Sequence, residues 1–256
     1  MIQIGDLTLG KGVPKICVPI IGTTKSQILK EAQFIAQHKV ELVEWRLDHY
    51  EDVEDHVQVL ALLKQLKACL EHTLLLCTFR TKREGGAHEF LNEEDYHRLN
   101  ERLIKSGDCD LIDLELFMDK HLLKNLIETA HDHGVYVIIS NHDFQKTPGY
   151  DDLFARLHTM QRLGGDVLKI AVMPKTKKDV LTLLQVTADM EQRAPHQAIV
   201  SMAMGTLGML SRICGETFGS AITFASLNGS SAPGQLPYDE MKTVLDILHK
   251  QLSSDA

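Results

Sequence analysis

The sequence has no run rich in lysine and arginine, and its 27 basic residues are outnumbered by 35 acidic ones, a formal charge of -8. Affinity for a phosphate backbone needs the opposite balance, so nucleic acid is not an expected partner. No stretch approaches the roughly 18 uncharged apolar residues that span a bilayer. The opening MIQIGDLTLGKG lacks the basic region and apolar core of a secretory signal. No membrane association and a cytoplasmic location follow as expectations. The five cysteines, Cys17, Cys69, Cys77, Cys109 and Cys214, are scattered and form no CxxC pair, which argues against a disulfide framework and against a zinc site. They read as reduced, packed thiols. Seven prolines and 17 glycines are too few for a fibrous or low-complexity chain.

What is present is a globular chain, 44% hydrophobic and 24% charged. Eight short apolar runs recur: KICVPII (15–21), VELVEWR (40–46), LLLCTFR (74–80), DLIDLEL (110–116), VYVIISNHDF (135–144), DVLKIAVM (166–173), QAIVSMAM (197–204) and AITFAS (221–226). They are nearly continuous rather than alternating, as strands buried on both faces of a parallel sheet require. Helical spacing fills the gaps, over 26–38, 53–70, 94–106, 177–192 and 238–252 among others. Strand then helix, eight times over, predicts an α/β fold of the (β/α)8 TIM-barrel kind, with a doubly wound open sheet as the runner-up. No GxGxxG follows the first run, which weakens the open-sheet dinucleotide reading. No linker divides the chain, so 1–256 reads as one barrel domain. Residues 1–12 read as an N-terminal β-hairpin closing the barrel bottom, and the Gly-, Ser- and Pro-containing 227–237 as a lid loop over the active site.

In such a barrel the chemistry lies at the C-terminal ends of the strands. Lys169 stands inside DVLKIAVM, flanked by Val, Leu, Ile and Ala. A buried ammonium is costly unless it is paired, or unless a lowered pKa frees the amine as a nucleophile for Schiff-base chemistry. His142 ends the fifth run, where an imidazole can act as general acid and base. With 13 histidines in the chain, its presence alone carries little weight. Asp143 is poorly placed to orient it, since adjacent strand residues point to opposite faces. Glu84, followed by Gly85 and Gly86 that permit a tight turn, is the better orienting carboxylate. Glu44 and Arg46 share one strand face, suited to a polar substrate or, equally, to a cross-barrel salt bridge. Arg80 ends the third run, and Arg212 suits an anion, phosphate or carboxylate. These residues alone leave a class I aldolase open, and also a noncatalytic ligand-binding barrel.

The motifs VEWRLDHY (43–50), CTFRTKREGG (77–86), DLIDLELF (110–117), VIISNHDFQKTPG (137–149), LKIAVMPKTKKDVLTLL (168–184), GMLSRICGETFGSAITFAS (208–226) and SAPGQLP (231–237) resemble type I 3-dehydroquinate dehydratases over nearly the whole chain. The resemblance implies a hydro-lyase of the shikimate pathway, converting 3-dehydroquinate to 3-dehydroshikimate and water. It implies that Lys169 forms an imine with the C3 ketone, that His142 takes the C2 proton and helps the C1 hydroxyl leave, and that Glu84 orients His142. It further implies that Glu44, Arg46, Arg80, Arg212, Ser231 and Gln235 bind substrate beside an apolar wall of Met202, Met204 and Phe224. No metal and no dissociable cofactor are implied, and a homodimer is. One departure is visible: Pro19 stands where some members carry a serine near the substrate, which removes that single hydroxyl contact. A quinate-degrading role would use the same chemistry.

Overall fold

In the computed structural model, residues 1–90, 92–227 and 234–254 are described. In chain order the elements are β1 (Ile2–Ile4), β2 (Leu7–Leu9), β3 (Lys15–Ile20), α1 (Lys25–Ala36), β4 (Leu42–Arg46), α2 (His56–Cys69), β5 (Leu74–Thr78), α3 (Glu93–Lys105), β6 (Leu111–Glu115) and α4 (Lys120–Asp132). They continue with β7 (Tyr136–Asp143), α5 (Tyr150–Leu163), β8 (Val167–Val172), α6 (Lys177–Arg193), β9 (Ala198–Ala203), α7 (Met209–Ile213), α8 (Gly215–Phe218), β10 (Ile222–Ser226), β11 (Leu236–Pro237) and α9 (Tyr238–Ser254). Every one of the eight apolar runs contains a strand, and the five helical stretches named from spacing correspond to α1, α2, α3, α6 and α9 within three residues at each end. The segment between β9 and β10 departs from the simple alternation, since it holds a 3-10 turn and two short helices.

The chain divides into two compact units, Val18–Asn141 with Leu163–Gly165, and Met1–Cys17 with His142–Arg162 and Asp166–Ala256. In the unit built on Val18–Asn141, β4, β5, β6 and β7 are parallel neighbours in chain order. Their register pairs Arg46 with Thr78, Thr78 with Asp113, and Glu115 with Ser140. Paired residues of a parallel ladder share a face, so these polar side chains line one side of the sheet near the strand ends. Helix α3 buries Tyr96, Leu99, Leu103 and Ile104, the i, i+3, i+7, i+8 stripe of a helix laid against a sheet, while its other face carries Glu93, Glu94 and Arg98. Each such leucine taken out of water stabilises the fold by about 1.5–3 kcal/mol.

In the other unit, Lys15–Cys17 of β3 lies parallel to Ile222–Phe224 of β10, and β8 is parallel to β9 from Val167–Ala198 to Val172–Ala203. Strand β9 meets the residues that lead into β10 through an isolated bridge between Ile199 and Ser220, with Ala221 N–H donating to the Ile199 carbonyl at 2.7 Å. The β1–β2 hairpin is antiparallel and buries Ile4, Leu7 and Leu9. At its end, a Cβ on Gly10 would come within 3.8 Å of Ala198 Cα, at the first residue of β9.

Side-chain caps stop the strand-to-helix connections from drifting, which keeps the strand-end residues in place. Thr24 with Gln27 and Thr176 with Asp179 form capping boxes at α1 and α6, and Asp55, Asn92 and Asp119 cap α2, α3 and α4.

Candidate active site

In the unit built on Val18–Asn141, the strand ends converge on Arg80, which is only 3% exposed. Its guanidinium donates to Asp113 Oδ1 at 2.9 Å, Glu115 Oε1 at 3.1 Å and Ser140 Oγ at 2.9 Å, and lies 3.5 Å from Glu84 Oε2. Burial works against that charge, but Asp113, Glu115, Glu84 and Glu44 outweigh it and hold the Arg80 pKa above the ordinary guanidinium value. The surrounding groups hold the carboxylates in turn. Ser140 Oγ donates to Asp113 at 2.6 Å, and the Thr81 amide and hydroxyl donate to the two oxygens of Glu115 at 2.8 and 2.7 Å. Glu44, buried on β4, accepts from Thr78 Oγ1 at 2.9 Å.

Glu84 sits in the short turn that follows β5. Gly85 closes the turn with φ near +84°, and a Cβ on Gly86 would lie 1.8 Å from the Arg80 carbonyl oxygen, so no other residue fits there without displacing the backbone. Asn141 Nδ2 donates to Glu84 Oε1 at 2.9 Å. The carboxylate is thus anchored to the residue that precedes His142 in the chain. Arg46 is paired through Nε and Nη2 with both oxygens of Asp48, each at 2.9 Å. Pro19 is buried on β3.

In the other unit, Lys169 is 3% exposed in the middle of β8, a strand whose six residues are all buried. Its Nζ lies 4.8 Å from the centre of the Phe224 ring. Lys169 pairs in register with Val200, and Ala171 with Met202, so the amine, Met202 and Phe224 lie on a common face. Met202, Met204 and Phe224 are all buried. His142 is half-buried near the end of β7. Asp143 is committed elsewhere: its Oδ1 accepts the amides of Gln145 and Lys146, both at 3.0 Å.

Arg212 stands on α7, 2% exposed, with Nη1 3.8 Å from Met202 Sδ. Burial pushes its pKa down to about 10. The sequence around it explains its position. Ser211 Oγ accepts the Ala203 amide at 2.8 Å and donates to the Gly208 carbonyl, while a Cβ on Gly208 would sit 2.2 Å from the Ala203 carbonyl oxygen. Helix α7 can therefore lie against the end of β9 only because position 208 is glycine. Gly234 is likewise close-packed on the Gly205 backbone, and Gln235 beside it is half-buried. Ser231 lies outside the described residues.

One unit thus gathers Lys169, Met202, Phe224 and Arg212, and the other Arg80 and Glu84, with Arg46 and Glu44 on flanking strand ends. Sequence reasoning passed over Asp48, Asp113, Glu115 and Ser140. Asp113 and Glu115 carry a usable signal, because DLIDLEL repeats the two-residue spacing of charge inside an apolar run that singled out Glu44 and Arg46. Ser140 carries none. Among the described residues, no three His, Cys, Asp or Glu side chains are grouped as metal ligands. Nor is any helix among them long and apolar enough to cross a membrane.

Repeated parallel β/α units, with a buried lysine in one strand and charged side chains at the ends of others, define the chain as a (β/α)8 barrel enzyme. Residues 16–252 match the family model for type I 3-dehydroquinase. The 3-dehydroquinate dehydratase of Bacillus licheniformis is 46% identical over 252 residues, spanning 98% of this chain and 99% of that protein, and that of Clostridioides difficile is 43% identical over 98% of each. A crystal structure of the type I enzyme from Clostridium difficile, with covalently modified comenic acid, superposes with a TM-score of 0.94 at 44% identity over 98% of both chains. The Geobacillus kaustophilus 3-dehydroquinate dehydratase superposes with a TM-score of 0.93 at 38% identity, over 97% of this chain and 96% of that one. The chain belongs to the type I 3-dehydroquinase family.

Proposed function

We propose that Lys169, His142 and Glu84 carry the catalytic steps of this enzyme, each in the role that the family pattern gives it. The reaction is the hydro-lyase conversion of 3-dehydroquinate into 3-dehydroshikimate and water (EC 4.2.1.10), in the shikimate pathway, by way of a Schiff base. The observation that carries the assignment is Lys169, an amine in mid-strand, nearly excluded from water and set over an aromatic ring.

In this mechanism the Lys169 amine adds to the C3 ketone and expels its oxygen as water. The protonated imine withdraws electrons more strongly than the ketone, which acidifies the C2 hydrogen enough for the His142 imidazole to remove it. The same imidazole then delivers a proton to the departing C1 hydroxyl, and hydrolysis of the imine returns the lysine. Glu84 orients the imidazole, a role supported by its anchorage to Asn141 and by the rigid glycine turn that presents it. A burial that keeps water from Lys169 also protects the imine between its formation and the loss of the hydroxyl.

The remaining assignments follow the same pattern. Arg212 holds the substrate carboxylate, and its low exposure strengthens a charge-assisted bond. Glu44, Arg46, Arg80, Ser231 and Gln235 contact the polar groups, with Met202, Met204 and Phe224 as the apolar wall. Segment 227–237, of which 228–233 lie outside the described residues, is assigned as the lid, 1–12 as the element that closes the N-terminal end of the barrel, and 1–256 as one domain. The enzyme acts as a cytoplasmic homodimer without metal or dissociable cofactor.

Borohydride reduction in the presence of 3-dehydroquinate tests the central assignment. The expected result is a ligand-sized mass on the peptide containing Lys169, with no adduct and no turnover in Lys169→Ala. An adduct on a different lysine, or full activity in that variant, overturns it.

A further inference from the structure

Asp48 has a fully buried side chain in the single 3-10 turn, Leu47–His49, that follows β4, two residues beyond Arg46 and four beyond Glu44. Each of its oxygens accepts two hydrogen bonds. Oδ1 takes Arg46 Nε at 2.9 Å and the backbone N–H of Arg80 at 3.2 Å, and Oδ2 takes Arg46 Nη2 at 2.9 Å and the backbone N–H of Ala87 at 3.0 Å. The two backbone donors sit at the two ends of the turn that carries Glu84. Residues 81–86 are closed on themselves by the Gly86 N–H to Thr81 carbonyl bond at 2.8 Å, so fixing residues 80 and 87 fixes the whole turn.

From this geometry we infer that Asp48 is a positioning residue for the dehydration, setting the direction of the Arg46 guanidinium and the placement of the Glu84 turn through a single carboxylate. The inference rests on the assignment of Arg46 to substrate binding and of Glu84 to the catalytic group. The chemistry singles out a carboxylate at this position. Four donors from three chain segments need four acceptor lone pairs arranged in one plane, which an ionised carboxylate has and an amide lacks. In Asp48→Asn one oxygen becomes an NH2 facing two N–H groups, so one arm of the Arg46 fork is released together with one backbone bond, that of Arg80 or that of Ala87. Arg46 cannot find an equivalent partner in His49, whose Nε2 lies 3.7 Å from Asp48 Oδ2 and which is itself a donor or a weak acceptor. The side chain has no access to solvent, so water cannot replace the lost acceptor without the turn moving.

The test is steady-state kinetics on Asp48→Asn, Arg46→Ala and the double variant, alongside borohydride trapping with 3-dehydroquinate and a thermal unfolding scan of each. Loss of a charge-assisted bonding set of this kind corresponds to about 10- to 100-fold in kcat/KM. We expect Asp48→Asn to raise KM through Arg46 and to lower kcat through Glu84, while Lys169 is still trapped by borohydride. In the double variant the rise in KM should match that of Arg46→Ala alone, because a residue acting through Arg46 has nothing left to orient, whereas the fall in kcat should persist. Two results overturn the inference: unchanged KM and kcat in a folded Asp48→Asn protein, or KM effects that multiply in the double variant. If the wild-type enzyme is not trapped at Lys169, the catalytic assignment fails, a result distinct from either of these. If Asp48→Asn does not fold, Asp48→Glu, which keeps the charge but moves it by one methylene, takes its place with the same expected kinetic pattern.

Discussion

Replacing Arg80 with methionine keeps most of the aliphatic stem and removes the guanidinium that bonds Asp113 and Glu115 and lies beside Glu84. The magnitude follows from the contacts. Three hydrogen bonds of 2.9–3.1 Å disappear, and buried carboxylates that shared the guanidinium are left without it. Breaking a buried charge pair by removing one partner costs about 3–5 kcal/mol, since the remaining charge stays desolvated. For a chain of this length each kcal/mol moves Tm by about 2–4 °C, so the variant should melt about 6–20 °C lower. The scan should be paired with urea unfolding, where the midpoint falls at unchanged slope if the native fold persists. A second substitution separates the cause: Arg80→Met with Asp113→Asn should recover part of the loss, because the penalty comes from stranded carboxylates rather than from lost packing. A drop of under about 1 kcal/mol, the range of an exposed ion pair, would refute the view that this cluster ties the strand ends together.

In His142→Ala, dehydration should be almost abolished while borohydride still traps some substrate on Lys169; unchanged turnover would sink the general-base role. Arg212→Met should raise KM by about 10- to 100-fold with the imine still formed, the loss of one charge-assisted contact, and a KM equal to wild type would remove it from carboxylate binding. Gly86→Ala should fold poorly or lose Glu84 function, because its Cβ would overlap the Arg80 carbonyl at 1.8 Å; wild-type Tm and kcat in that variant would contradict the turn geometry. Burial raises the Asp48 pKa less than the Arg46 bonds and charge, the Ala87 amide and His49 lower it, so its folded value is depressed. A depressed carboxylate stabilises fully above its unfolded pKa of about 3.9 and ceases to as the pH falls through the folded value. The stability gap between wild type and Asp48→Asn, followed by urea titration at a series of pH values, should therefore be constant near neutrality and close in acid.

The alternation of apolar run and amphipathic helix was legible because each signal is local. A strand buried on both faces cannot contain many polar residues, and the exceptions, Lys169, Glu44 with Arg46, and the charged end of SNHDF, marked themselves by violating that rule. The 3-10 turn and the two short helices between β9 and β10 were less legible. Gly208 and Gly215 break the helical period there, and the reason they are glycines is the Ala203 carbonyl oxygen 2.2 Å from one Cβ and the Ser220 carbonyl oxygen 2.8 Å from the other, approaches set by how the chain turns over five residues and not by any periodicity.

By itself, then, the sequence determined the order of strands and helices and, through its motifs, the family, and it named the residues from which the catalytic reading is built. Tertiary structure decided which charges neutralise which. Arg80 stood out in the sequence as a strand-end cation, and the register that sets Thr78 beside Asp113 and Glu115 beside Ser140 brings to it carboxylates 33 and 35 residues away. Asp48, unremarkable in VEWRLDHY, became the acceptor for three segments only when the turn after β5 folded back over it. Hydrophobic periodicity is a property of a dozen consecutive residues and survives in the sequence. The partner of a buried charge is set by strand register and loop closure, which emerge only when distant segments share one core.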